Sequence, residues 1–260
     1  MVALAANLSM LWPDRPFLER FAAARKAGFD AIEYLFPYDH PSATIKAQLE
    51  QHRLKQVLFN APPGDWDAGE RGFACHPKRQ NEFAETIDKA LDYAKALECR
   101  YLHVMAGIQP DDKSIYALLE VYVTNLKEAA KRCAKAGVTV LIEPINQRSM
   151  PGYFLHDFAT AERALASADE PNIALQFDIF HAQIIQGDLA HTLARLMPSI
   201  RHVQIAGVPD RHEPDSGELN IGYLFAKLDA LGYAGHVGCE YVPAGDTDKG
   251  LVWRKQFRLG

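Results

Sequence analysis

The sequence predicts a single closed (β/α)8 barrel, the TIM barrel, that spans residues 1–260. Eight short apolar runs alternate with segments of helical periodicity along the whole chain, and this alternation is typical of a parallel sheet. A length of 260 residues suits eight such units in one barrel. Neither a low-complexity tract nor a linker divides the sequence, so we expect one domain.

The eight predicted strands are apolar runs bounded by Gly, Pro or polar turn residues. The run at 138–143 shows the pattern most clearly, because Gly137 precedes it, Pro144 follows it, and its last side chain is the carboxylate of Glu143. A carboxylate in this position is expected at the end of a parallel strand that opens onto the loops. The predicted strands cover residues 4–7, 31–36, 55–60, 101–106, 138–143, 173–178, 200–206 and 236–241.

The predicted helices lie between these runs and show apolar residues at helical spacing. They cover residues 16–27, 42–52, 79–97, 112–136, 157–168, 181–197 and 223–231. The rhythm breaks at residues 61–78, which are rich in Pro, Gly and aromatic residues. A loop of this length in a compact domain is usually functional or disordered. The aromatic residues favour an ordered loop, which could be a lid.

Composition excludes several classes of protein. The formal net charge of -5, without a long basic run, argues against nucleic acid as the partner. No apolar stretch reaches the ~20 residues that a membrane span needs, and the N-terminus lacks the basic region of a signal peptide. The cysteines are widely spaced and form no C-x-x-C pair, so neither a zinc ribbon nor a thioredoxin-like motif is present. We therefore expect a cytoplasmic protein with free thiols; a homo-oligomer is also possible.

Two glycine-rich motifs of nucleotide-binding proteins are absent from the sequence. No G-x-G-x-x-G follows the first predicted strand, and no G-x-x-x-x-G-K-[ST] occurs anywhere. These glycine-rich patterns bind the phosphates of dinucleotides and nucleoside triphosphates. The sequence therefore disfavours both kinds of cofactor.

Four polar side chains occur at the ends of the last four predicted strands. They are Glu143, Asp178, Gln204 and Glu240. Because the C-terminal ends of barrel strands surround one mouth, these side chains could converge there. Three carboxylates at one mouth repel each other unless they bind protons or share a cation. An all-oxygen set favours Mg²⁺ or Mn²⁺ as the divalent cation rather than zinc. The competing interpretation is that some of these residues are ordinary strand-end groups at the surface.

Five motifs occur in order along the chain. They are NLSML at 7–11, FPYD at 36–39, GDW at 64–66 followed by GERG at 69–72, IEPIN at 142–146 and GCEY at 238–241. By their order and spacing, these motifs resemble the hydroxypyruvate isomerase family and its close relatives, the 2-oxo-tetronate isomerases, within the xylose-isomerase-like barrel group. The likeness runs from Asn7 to about Trp253.

The resemblance implies a metal-assisted aldose-ketose isomerase that moves the carbonyl of a short 2-oxo acid through a cis-enediolate. Glu143 and Glu240 match the catalytic pair of the family. Together with Asp178 and Gln204, they also match its metal ligands. The sugar 3-epimerases of the same group carry a histidine where this chain has Gln204, and this departure makes zinc less suitable still.

A 2-oxo acid substrate brings a carboxylate that needs a cationic or donor-rich partner. The candidates are Arg71 in the long loop, His181 three residues after Asp178, and Arg211. His181 and Arg211 also resemble substrate-binding positions of the sugar epimerases. Each has a structural alternative: Arg71 could pair with a neighbouring acid, His181 could cap a helix, and Arg211 could be solvated.

Three alternatives to a 2-oxo acid isomerase remain. A ketose 3-epimerase acting on a free sugar would use nearly the same residues. An endonuclease IV-like nuclease would need a zinc cluster and additional histidines, which the net charge of -5 and Gln204 disfavour. A binding barrel without catalysis would not need both Glu143 and Glu240.

Overall fold

The computed structural model describes residues 2–257; the remaining parts of the predicted domain, residues 1 and 258–260, lie outside this range. Eight parallel strands form a closed barrel in chain order, which confirms the predicted fold class. The strands are β1 (Ala3–Asn7), β2 (Ala31–Glu33), β3 (Lys55–Asn60), β4 (Tyr101–His103), β5 (Thr139–Ile142), β6 (Ile173–Asp178), β7 (Ile200–Ile205) and β8 (His236–Cys239).

Helices follow the strands, as the alternating pattern predicts. They are α1 (Glu19–Lys26), α2 (Ser42–His52), α3 (Gln80–Ala96), α4 (Ile115–Ala134), α5 (Phe158–Ala168), α6 (Ile179–Ile185), α7 (Leu189–Leu196), α8 (Ile221–Ala230), α9 (Thr247–Gly250) and α10 (Trp253–Gln256). Polar side chains cap several of them: Ser114 accepts from the backbone N–H of Ala117, and Asp157 from that of Thr160. Such caps satisfy backbone donors that have no partner inside the helix.

The continuous helix predicted over residues 181–197 is wrong. The segment divides into α6 and α7, because Gly187 and Asp188 have φ angles of +63° and +46°. This left-handed conformation does not continue a right-handed helix. The apolar periodicity persists across the break, and the signal in the sequence is Gly187, which favours a turn.

The chain contains two compact units. The first combines residues 2–57 with 177–257 and contains the pairs β1–β2, β1–β8 and β7–β8. The second covers residues 58–176 and contains the pairs β3–β4, β4–β5 and β5–β6. Both boundaries between the units fall inside strands, β3 and β6. That the chain forms one domain stays a prediction.

The strands are buried on both faces, as expected where helices cover a parallel sheet. All six residues of β6 are buried, and so are the last five of β3. Within residues 2–257, no helix combines the length and apolar character required to cross a membrane.

Candidate active site

A single guanidinium joins two of the predicted carboxylates in the first unit. Arg211 Nη2 donates to Glu240 Oε2 at 2.9 Å and to Asp178 Oδ2 at 3.4 Å. Asp178 is the last residue of β6, and Glu240 directly follows β8. The structure therefore brings these three predicted site residues together.

The backbone of Arg211 is held in an uncommon conformation. Its φ angle is +59°, a region that residues other than glycine rarely occupy. Two hydrogen bonds keep it there: its N–H donates to Gly207 O at 2.8 Å, and its carbonyl accepts from Val242 N–H at 2.8 Å. The side chain also lies over the ring of Phe180, 4.9 Å from the centroid. Arg211 is therefore a fixed part of the site rather than a solvated surface residue.

Asp178 also caps α6 and contacts His181. Its Oδ1 accepts from the backbone N–H of Phe180 at 2.8 Å, and its Oδ2 lies 3.6 Å from His181 Nε2. The capping role that could have explained His181 thus belongs to Asp178. The imidazole is buried, with 2% of the residue exposed, and lies beside the carboxylate.

Burial dominates the electrostatics of the two carboxylates. Loss of solvation raises the pKa of Asp178, and the nearby charge of Arg211 opposes this effect. The pKa of Glu240 is raised for the same reason, again against the attraction of Arg211. Buried carboxylates with raised pKa values suit proton transfer, and they also gain from a nearby cation.

Gln204 belongs to a buried polar network that the sequence analysis missed. Glu33, the last residue of β2, accepts from Gln204 Nε2 at 2.8 Å, from Asn7 Nδ2 at 2.9 Å and from His202 Nε2 at 2.6 Å. Asn7 Nδ2 also lies 3.5 Å from Glu240 Oε1. One sequence signal could have identified Glu33, since a charged residue inside a buried apolar strand requires polar partners.

Glu143 lies in the second unit, directly after β5. Ile142, which precedes it, is the register partner of Leu175 on β6. The carboxylate of Glu143 is buried, and its Oε2 lies 3.7 Å from Nε2 of His103, the last residue of β4. The hydroxyl of nearby Tyr153 accepts from the backbone N–H of Ala106 at 2.8 Å. Glu143 thus occupies the strand-end position that the sequence predicts.

Arg71 is held by its own loop in the second unit. Its Nη1 donates to the carbonyls of Trp66 and Glu70 at 2.8 and 2.6 Å, and its guanidinium stacks on the Trp66 ring. The side chain of Glu70 binds Arg79 instead. Backbone hydrogen bonds from Gly72 N–H to Pro63 O and from Cys75 N–H to Ala106 O, each 2.8 Å long, fasten the loop. The loop is ordered, while the substrate-binding role of Arg71 stays a prediction.

Comparison with known proteins identifies relatives over the full length of the chain. The 2-oxo-tetronate isomerase of Cupriavidus necator is 50% identical over 257 residues, which cover 99% of both chains. The hydroxypyruvate isomerase of Escherichia coli K12 is 39% identical over 258 residues, which cover 99% of this chain and 100% of the relative. These relatives confirm the resemblance described above and identify the protein as an isomerase.

Solved structures agree with the fold. A crystal structure described as AP endonuclease, family 2, from Brucella melitensis is 49% identical, superposes with a TM-score of 0.97 and is matched over 99% of both chains. The 3-keto-D-glucoside 4-epimerase of E. coli shares the fold at 20% identity and a TM-score of 0.81, over 98% of this chain and 99% of the relative. Residues 21–257 match the family described as xylose isomerase-like TIM barrel. The chain therefore belongs to the xylose isomerase-like TIM barrel family.

Proposed function

We propose that this isomerase acts on a short 2-oxo acid: it converts hydroxypyruvate to tartronate semialdehyde, or a 2-oxo-tetronate to its 3-oxo isomer. The observation that carries the proposal is the buried Glu240 carboxylate held by Arg211, because it places a proton acceptor beside a cation that can bind an anionic substrate. Relatives named for both activities, between 39% and 50% identical, support the same substrate class.

The reaction moves one proton from C3 to C2 and one from the C3 oxygen to the C2 oxygen, and it needs no external oxidant or reductant. A base removes a proton from C3 of hydroxypyruvate, and the electron pair moves to the C2 carbonyl to give an enediolate. A proton then returns to C2. The C3 hydroxyl loses its proton and becomes the aldehyde, while the oxygen on C2 gains one.

Glu143 and Glu240 are the proposed proton-transfer residues. One of them removes the C3 proton as a carboxylate, and the same or the other residue delivers a proton to C2. Burial raises the pKa of Glu240 and so favours its uptake of a proton. A well-placed base of this kind contributes about 10²- to 10⁴-fold to the rate.

Arg211 is the principal proposed partner of the substrate carboxylate. A guanidinium has five N–H donors in a planar fork, so Arg211 can hold Glu240 and still offer donors to a second anion. His181 lies beside Asp178 and would add a second donor for the substrate carboxylate. Arg71 remains a third candidate, from the lid loop.

A divalent cation, Mg²⁺ or Mn²⁺, fits the donor set. Asp178, Gln204 and Glu240 are buried oxygen donors, and together with Glu143 they would hold the ion. Hard cations prefer such ligands. When bound, the ion would polarise the substrate carbonyl and stabilise the negative charge that develops on its oxygen.

We further propose that the chain is one domain and works in the cytoplasm. Both boundaries between the compact units fall within strands, which supports a single domain. All four cysteines are buried thiols, which is consistent with a reducing compartment.

A substrate panel tests the proposal. The protein, loaded with Mg²⁺ or Mn²⁺, is assayed with hydroxypyruvate, 2-oxo-tetronates and neutral ketohexoses, alongside E143Q, E240Q and the buried control E213Q. We expect turnover of the acids, loss of turnover in E143Q and E240Q, and activity near wild type in E213Q. Turnover of ketohexoses alone would identify a 3-epimerase instead, and binding of an acid without turnover would identify a binding barrel.

The description of the Brucella structure raises a second candidate, cleavage of DNA at abasic sites. The net charge of -5 argues against a DNA substrate. Incubation with an abasic duplex tests this candidate, and the 2-oxo acid proposal predicts no cleavage.

A further inference from the structure

Glu33 is a fully buried carboxylate that the proposed reaction does not use. Its relative exposure is 0%, and taking a carboxylate out of water is costly unless donors surround it. Three side chains provide those donors: His202 to one oxygen, and Gln204 and Asn7 to the other. The Glu33 carboxylate is thus buried next to Gln204, a proposed metal ligand. A buried charge in this position suggests a role at the metal site.

The chemistry of a carboxylate determines how the Gln204 amide is oriented. Carboxylate oxygens only accept hydrogen bonds, whereas an amide has a donor nitrogen and an acceptor oxygen on the same carbon. The Gln204 nitrogen must therefore face Glu33, as the 2.8 Å distance from Nε2 to Oε1 indicates. The amide oxygen then points away from Glu33. A hard cation binds an amide through its oxygen, so only this orientation makes Gln204 a ligand.

Asn7 connects Glu33 to Glu240, and Glu33 orients its amide as well. Its Nδ2 donates to Glu33 at 2.9 Å and lies 3.5 Å from Glu240 Oε1, while its Oδ1 accepts from the Ser9 N–H at 3.0 Å. The partners of the nitrogen and of the oxygen thus determine the orientation of the Asn7 amide. Glu33 thereby holds the donor that faces the proposed proton-transfer residue.

The backbone beside Glu33 leaves room for its carboxylate. Gly238 is the register partner of Gln204 on β7 and of Ala5 on β1. A Cβ atom at position 238 would collide with both oxygens of Glu33. The glycine is therefore required by the position of the carboxylate, which is an independent indication that the carboxylate is fixed there.

We propose that Glu33 is a positioning residue, which turns the Gln204 amide so that its oxygen faces the cation site and holds Asn7 against Glu240. This inference rests on the divalent cation included in the proposed function. Supporting residues of this kind are commonly worth about 10- to 100-fold in metal affinity.

The test measures Mn²⁺ binding to the metal-free protein by calorimetry and by electron paramagnetic resonance, without substrate. The E33Q variant places an amide at position 33 that can donate to the Gln204 oxygen and turn it away from the cation. We expect E33Q to bind Mn²⁺ about 10- to 100-fold more weakly. The control E213Q removes the charge of another buried carboxylate, whose Oε2 accepts from Ala244 N–H at 3.2 Å, and should bind like wild type.

A charge swap separates positioning from a merely structural role. In the double variant E33Q/Q204E, the amide at 33 can donate to a carboxylate at 204, whose other oxygen faces the cation. We expect the double variant to bind Mn²⁺ more tightly than E33Q and than Q204E, in which two carboxylates oppose each other. A structural role alone would make the two substitutions additive or worse. If E33Q does not fold, tighter Mn²⁺ binding by the double variant than by Q204E still supports the pairing of positions 33 and 204, and equal or weaker binding overturns it.

The inference is overturned if E33Q binds Mn²⁺ as tightly as wild type, if the double variant is no tighter than either single variant, or if the wild type binds no divalent cation. Its failure and that of the proposed function are distinguishable. Isomerisation by a wild type that binds no divalent cation would leave the 2-oxo acid activity standing and overturn the inference. Mn²⁺ binding that responds to E33Q and the swap, without any isomerisation, would support the inference and reject the function.

Discussion

The Nη2 atom of Arg211 lies 2.9 Å from Oε2 of Glu240. Glu240 is buried, and the same nitrogen reaches Asp178 at 3.4 Å. One cation thus balances two carboxylates at the ends of β6 and β8. This arrangement makes the carboxylates sensitive to any change at position 211.

Removing the Arg211 charge should destabilise the metal-free protein. We expect R211Q to lower the free energy of unfolding by about 3 kcal/mol, because it leaves two buried carboxylates without their cation. Added Mn²⁺ should reduce this deficit, since a metal would replace the lost charge. Urea unfolding with and without Mn²⁺ measures both effects.

The R132Q variant is the control for that experiment. Arg132 pairs with Glu128 and Asp88 on the surface, and such pairs contribute about 1 kcal/mol or less. If R211Q were no less stable than R132Q, the proposed electrostatic role of Arg211 would be wrong.

A methyl group at position 238 should disturb the Glu33 carboxylate. We expect G238A to destabilise the fold by about 1 to 3 kcal/mol, the usual cost of overpacking, and to weaken Mn²⁺ binding. The control is G245A, where a Cβ would meet nothing within 4 Å. Thermal unfolding and Mn²⁺ titration of both variants test this, and equal behaviour of the two would refute it.

The sequence predicted the strand-end residues for a definite physical reason. Glu143, Asp178, Gln204 and Glu240 each stand at or near the end of an apolar run, and parallel strands end on one side of a barrel. An alternating or continuous apolar run shows, from neighbouring residues alone, where a strand ends. The same reasoning gave the order of strands and helices.

The Glu33 network was not predicted, because its contacts join distant positions. Glu33 and His202 are 169 residues apart in the chain, and neither residue type shows its partner in the local pattern. The pairing of Arg211 with Glu240 depends on the left-handed backbone of Arg211, which no Gly or Asn at position 211 or directly beside it signals. Tertiary packing, rather than local propensity, determines both features.

His76 should make stability depend on pH. Burial lowers its pKa below the ordinary value of 6.5, so the unfolded chain binds this proton first as the pH falls. The contribution of His76 to stability is therefore complete above pH 6.5 and declines below it, with a slope of at most about 1.4 kcal/mol per pH unit.

Urea unfolding at pH 7.5, 6.5 and 5.5 measures this dependence. We expect H76N to lose stability less steeply over this range than the wild type, whereas H191N, at an exposed position, should follow the wild type. Identical slopes for the wild type and H76N would contradict the assignment to His76.

Proton exchange at carbon is the most direct measurement of the central claim. The Mn²⁺- or Mg²⁺-loaded protein is incubated with hydroxypyruvate in D2O and followed by NMR, alongside E143Q and E240Q. The account predicts isomerisation with deuterium entering at the carbons next to the carbonyl, and loss of this exchange in both variants. Exchange that persists in both E143Q and E240Q, or an absence of exchange with hydroxypyruvate and every 2-oxo-tetronate, would contradict it.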